Sequence, residues 1–369
     1  MRRYGIRRRR PLPWIVGVLA LTLAAGCGVV PGLPAGGPCP AGWQSAVLWS
    51  TEGGWYSQLA YVTGDGRIER QNLPYIGFST ASTAAVEQSG QDAIMAADGS
   101  PYFGPRHLIT IDTGVCSVTG HGVEESSVWS IETRGQEVYT TNTLNWEGVI
   151  RRRDADRAVL AEIALAGVIP TKLLVHGDRL YALGASLEDD RTMMITLDAD
   201  SLVELDRVVF PEHGSPYAGA IIDDRLYYPE TTVNGSEGTH LRVIDLRTGR
   251  RSRVDLGSPA PYLMVESGED LYIGHTFMNP GYRDRSEYRW VSRYDTRTGK
   301  VERFDVGGGL DMIAIKDQTL YVLSSPEDQE TTTLRAFDLP GVTLRSEVVV
   351  PKPTGPGHYY TSAIILAGS

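Results

Sequence analysis

Arg293-Tyr294-Asp295-Thr296-Arg297-Thr298-Gly299-Lys300 and, fifty residues earlier, Val243-Ile244-Asp245-Leu246-Arg247-Thr248-Gly249-Arg250 are two copies of one turn. An aspartate that accepts from backbone amides, followed by a glycine free to take positive φ, closes a hairpin between two strands. With the aspartate as marker, the signature falls at Asp65, Asp112, Asp154, Asp198, Asp245, Asp295 and Asp338, spaced by 47, 42, 44, 47, 50 and 43 residues. Units of roughly 40 to 50 residues suit a four-stranded sheet. A second turn precedes most markers, as in Val175-His176-Gly177-Asp178-Arg179-Leu180-Tyr181, Ile222 to Tyr227, Glu266 to Tyr272 and Ile315 to Tyr321. There a polar pair reverses the chain, and the alternating residues beyond it read as strand.

Each unit therefore reads as strand, tight turn, strand, long variable loop, strand, Asp-Thr-Gly turn, strand. No segment shows a helical period. A lone four-stranded sheet cannot bury both faces, whereas stacking it between two neighbours around an axis buries both. The expected fold is all-β, a seven-bladed β-propeller. Ser362 to Ala367 reads as an innermost strand with no partners after it, and Ala46 to Ser50 as a second strand lacking its first. The two chain ends are thus expected to complete one blade. The irregular stretch Tyr75 to Ser89 leaves room for another strand, so six and eight blades are the neighbouring counts.

From about Ala46 onward the array resembles YVTN-type and quinoprotein-amine-dehydrogenase-like seven-bladed propellers, through pieces such as Leu320-Tyr321-Val322 and Asp295 to Lys300. The resemblance implies architecture and carries no catalytic residue. Pyrroloquinoline-quinone enzymes usually follow the turn with a docking tryptophan, where this chain has Arg250-Arg251-Ser252-Arg253-Val254 and Val301-Glu302-Arg303-Phe304.

The amino terminus carries Arg2, Arg3 and Arg7 to Arg10, then the apolar run Trp14 to Ala25, ending in Leu23-Ala24-Ala25-Gly26-Cys27. That run is short for a membrane span and reads as an export signal over 1–26. The segment before Cys27 resembles a bacterial lipobox, so Cys27 is the expected lipidation site. Residues 27–42, rich in Gly and Pro, read as a tether, and 43–369 as the propeller. Two acyl chains on Cys27 would hold the ring on the extracytoplasmic side of the cell membrane. In an oxidising compartment Cys39 and Cys116 are expected to form a disulfide, two free thiols being the other reading. The formal charge is −10, and removal of six signal arginines leaves −16. Such acidity argues against a nucleic-acid partner.

Loops entering innermost strands, and loops joining second to third strands, share one face of such a ring. They hold His121, Glu124, Glu125, His213, Tyr217, Tyr262, His275, Asn279, Asp311, His358 and Tyr359 as candidate ligand residues. Imidazole and carboxylate on one face could hold a divalent ion. The chain has no His-Glu-x-x-His, Cys-x-x-Cys, Gly-x-Ser-x-Gly or phosphate-cradling loop, and no strong motif for PQQ, nucleotide or haem. The leading reading is a membrane-anchored binding or scaffold module for an envelope protein or small ligand. The second is a metal-assisted hydrolase or lyase of lactonase type.

Overall fold

The computed structural model describes residues 37–52, 56–78, 86–97, 106–125, 128–144, 147–230, 232–233, 236–276, 288–326, 330–355 and 357–368. The expected signal, Cys27 and most of the tether lie outside them. The strands form seven four-stranded antiparallel sheets, with no helix among the described residues. Blade 1 combines Trp43–Glu52, Ser57–Thr63 and Ile68–Leu73 with the carboxy-terminal strand His358–Leu366. Blades 2 to 7 follow in chain order and open on the inner strands Val86–Ser89, Val128–Arg134, Val168–His176, Ala220–Ile222, Pro261–Ser267 and Leu310–Lys316. A two-residue hairpin, Thr232–Val233 with Ser236–Glu237, decorates blade 5.

Closure takes the expected form. His358–Leu366 lies innermost and pairs with Trp43–Glu52 from Ser45 opposite Leu366 to Glu52 opposite His358. Alternation then splits the blade between two neighbours: Ala46 and Leu48 pack towards blade 2, while Val47 and Trp49 pack towards blade 7. The Cys39–Cys116 disulfide forms, tying the segment before the first strand to the third-to-fourth-strand turn of blade 2.

The two turn signatures recur together because they touch. Asp295 Oδ1 accepts from the amides of Arg297 at 3.0 Å and Thr298 at 2.9 Å, and Gly299 takes φ +75°. Asp245 does the same for Arg247 and Thr248, with Gly249 at φ +69°. The residue after the marker then donates its amide to the first hairpin of the same blade: Ala199 to Asp178 at 2.9 Å, Leu246 to Asp224 at 2.8 Å and Thr296 to Glu269 at 3.0 Å. Both turns are thereby fixed on one face of the ring.

A feature without a sequence signature recurs on the inner strands. The strands of blades 3, 4, 6, 7 and 1 slip register by one residue, at Trp129, Thr171, Tyr262, Asp311 and Ser362. A bulge at a common level bends each strand where it enters the axis and turns one side chain out of the alternation.

Candidate functional site

The inner strands of all seven blades enclose an axial cavity of about 400 Å³. Most of its lining residues are aliphatic, but polar atoms make up the larger share of the surface facing it, and its charged lining residues are Glu87, Glu132, Lys172 and Glu266, from blades 2, 3, 4 and 6. Glu87 and Glu132 each stand two residues before the end of their strands, and Glu266 one before. The carboxyls therefore gather towards the first-hairpin end of the channel, opposite the face on which the sequence placed the candidates. Lys172 Nζ lies 3.5 Å from Glu132 Oε2, and Thr133 Oγ1 donates to Glu87 Oε1 at 3.4 Å.

Burial is the main cause of the electrostatics here. It lifts the Glu87 carboxyl well above the usual range, the Glu132 charge adds to this, and Lys172 opposes it. Glu132 is raised by burial against the pull of Lys172, and so is Glu266. Glu87, pushed up to about 7, is poised to hold or release a proton near neutrality when a charged group arrives. A volume of this order is that of a small-molecule pocket.

The candidates drawn from the loops scatter. Tyr217 lines the cavity and meets Tyr262, the bulge residue of blade 6, with ring centroids 5.4 Å apart. Asp311 is the corresponding bulge residue of blade 7. His275 is buried: Nδ1 donates to the Pro259 carbonyl at 2.9 Å, and Nε2 accepts from Ser292 Oγ at 2.7 Å. Burial pushes its pKa down to about 4, and both nitrogens are engaged by the fold. His213 is exposed at the end of the outer strand of blade 4, donating from Nδ1 to the Asp189 carbonyl at 3.1 Å. His121 belongs to the outer strand of blade 2 rather than to a loop, and Glu124 follows it, exposed. His358 opens the carboxy-terminal strand, exposed, while its neighbour Tyr359 is buried between blades 1 and 7. Asn279 lies outside the described residues. Among the described residues no three His, Cys, Asp or Glu side chains converge as a metal-ligand set.

Glu125 has the richest surroundings of the loop residues. It is buried between blades 2 and 3, where Oε1 accepts from Arg153 Nη2 at 2.5 Å and from Thr140 Oγ1 at 3.1 Å. Arg151 Nη1 stands 3.6 Å from the same oxygen, and Arg151 Nε donates to Glu162 Oε2 at 2.5 Å. Arg157 donates to Thr110 Oγ1 of blade 2 at 3.1 Å, and its carbonyl accepts from Arg153 Nη1 at 2.8 Å. Loop mapping singled out Glu125 but missed its partners, because Arg151 and Arg153 sit inside a strand whose alternation reads as an ordinary exposed face.

No family model matches the sequence, and no curated protein matches it. Among solved structures, the fold is similar to a functionally unknown protein from Desulfotomaculum acetoxidans, at 12% identity over 85% of this chain and 98% of that one, TM-score 0.55. A candidate 6-phosphogluconolactonase from Bacteroides fragilis is similar at 12% identity over 86% and 98% of the two chains, TM-score 0.55. The dihydro-heme d1 dehydrogenase NirN, in complex with DHE, is similar at 13% identity over 90% of this chain and 78% of that one, TM-score 0.50. At such identities the likeness is one of fold alone.

Proposed function

We propose that this chain is a lipid-anchored propeller of the YVTN-like kind, held on the extracytoplasmic side of the cell membrane through Cys27. In this reading it acts as a binding or scaffold module for an envelope protein or small ligand, with the axial cavity as its ligand site. The observation that carries the reading is the cavity itself, about 400 Å³, with Glu87, Glu132 and Glu266 facing one Lys172. Three carboxyls against one ammonium favour a ligand that brings positive charge or hydrogen-bond donors. The rigid ring holds these groups at fixed separation, which lowers the ordering cost of binding.

Two experiments test the two halves of the proposal. Cys27→Ser is expected to move the protein from the membrane to the soluble extracytoplasmic fraction; retention on the membrane overturns the anchor. Small molecules and envelope proteins co-purifying with the native chain are expected to be lost from a Glu87→Gln/Glu132→Gln variant with an unchanged melting curve. Identical co-purification by the two forms removes the cavity as the site.

A further inference from the structure

The layer between blades 2 and 3 holds more hydrogen-bonding capacity than its own side chains use. Asn142 is 1% exposed, and neither its amide nitrogen nor its amide oxygen has a hydrogen-bond partner among the described residues. Glu125 Oε2, Arg151 Nη1, Arg153 Nε and Arg157 Nε are in the same condition, although each of these side chains is engaged through at least one other atom. The groups share a face. Thr140 and Asn142 are two apart on one strand, Arg151 and Arg153 two apart on the next, and Arg151 lies opposite Thr140. Native interiors rarely leave a buried amide or guanidinium N–H unpaired, because its lost hydration is not replaced. A whole amide and four charged groups left so in one layer point to a polar occupant.

Charge and donor count select its chemistry. Arg151, Arg153 and Arg157 face a single fully buried carboxylate, Glu125, since Glu162 is half-exposed at the rim and Asp154 and Asp92 act on Arg157 from outside. The unused groups comprise the donors Arg151 Nη1, Arg153 Nε, Arg157 Nε and Asn142 Nδ2, and the acceptors Glu125 Oε2 and Asn142 Oδ1. We infer that this layer binds a small oxyanion that carries a hydrogen, monohydrogen phosphate or bicarbonate. Its oxygens accept from the guanidiniums and the amide, and its O–H donates to Glu125 Oε2. Guanidiniums suit oxyanions through their planar fork. Sulfate, which has no proton at neutral pH, would set an oxygen against the carboxylate, and a metal cation would meet the arginines.

The test is thermal melting of the full chain in Tris chloride against rising phosphate, bicarbonate, sulfate and acetate, since a ligand bound only by the folded form raises Tm with concentration. Phosphate or bicarbonate is expected to act at concentrations about tenfold lower than sulfate, the penalty of one repulsive contact in place of a charged hydrogen bond. Glu125→Gln, which supplies an N–H, is expected to reverse that order in favour of sulfate, and Asn142→Leu to flatten the response. Equal stabilisation by all four salts, no stabilisation by any, or an unchanged anion order in Glu125→Gln overturns the inference. High-resolution density showing ordered waters only would do so as well. If Glu125→Gln fails to fold, the anion order of the unaltered chain decides.

Discussion

Two inter-blade layers of this ring solve the same packing problem with opposite chemistry. Between blades 7 and 1 the contact is apolar, built from Val47, Trp49, Leu323, Val350, Tyr359 and Ile364 among others. Between blades 2 and 3 a small apolar cluster around Ile94, Leu108 and Ile131 shares the layer with Glu125, Arg151, Arg153 and Arg157. The apolar layer is non-directional, tolerates repacking and scales with area removed from water. The ionic layer is directional, and its stability depends on each partner being present. The first serves closure, joining the two ends of the chain; the second ties Arg157 of blade 3 to Thr110 of blade 2.

The largest expected effect breaks the apolar layer. Removing residues 359–369 takes away the inner strand of blade 1 and one side of the 7–1 contact. A broad, non-cooperative melt is expected, and a sigmoidal melt at the original Tm would show that the ring does not need its last strand.

Next come two single changes that separate the layers. Arg153→Met removes the direct charged hydrogen bond to the buried Glu125, leaving Arg151 at 3.6 Å as its remaining cation, and is expected to cost roughly 2 to 3 kcal/mol in denaturant unfolding. Leu323→Ala, at a fully buried position, is expected to cost about 2 to 5 kcal/mol through its cavity. Arg153→Lys, which keeps the positive charge beside Glu125, should lose much less than Arg153→Met, and equal losses would mean that the layer is not governed by charge.

A smaller effect comes from pH. His275, whose folded pKa of about 4 lies below its unfolded value near 6.5, is held neutral. The unfolded chain binds the extra proton between those values, so its contribution is complete above pH 6.5 and drains away as pH falls to 4. The total is on the order of 3 kcal/mol. Glu87, lifted to about 7, contributes a slope of opposite sign over the same range, so the His275 share is read from chemical denaturation between pH 7 and 4 as the difference between the unaltered chain and His275→Gln.

The smallest change concerns a turn. Gly299→Ala places a Cβ in open space but at φ +75°, so its cost, roughly 1 kcal/mol, is conformational. A loss several times larger in the melt would show that the turn packs against more than itself.

Legibility followed range. The Asp-Thr-Gly turns, the first hairpins and the two half-blades at the termini were readable because each is written within a few consecutive residues. The cavity carboxyls were not: Glu87, Glu132 and Glu266 sit in short polar alternations indistinguishable from solvent-facing strand positions. Aligning the inner strands by their hairpins would have placed Glu87 and Glu132 at one level. His275 misled for the converse reason, since a histidine at a strand end reads as a loop ligand until Pro259 and Ser292 are seen to hold it.

What the chain alone determined was its repeat, its strand order and its means of closure, because turn chemistry and alternation act between near neighbours. Tertiary structure decided which charges meet, in the axis and between blades 2 and 3. Only the closed ring brings those side chains together, and only burial changes what their charges do.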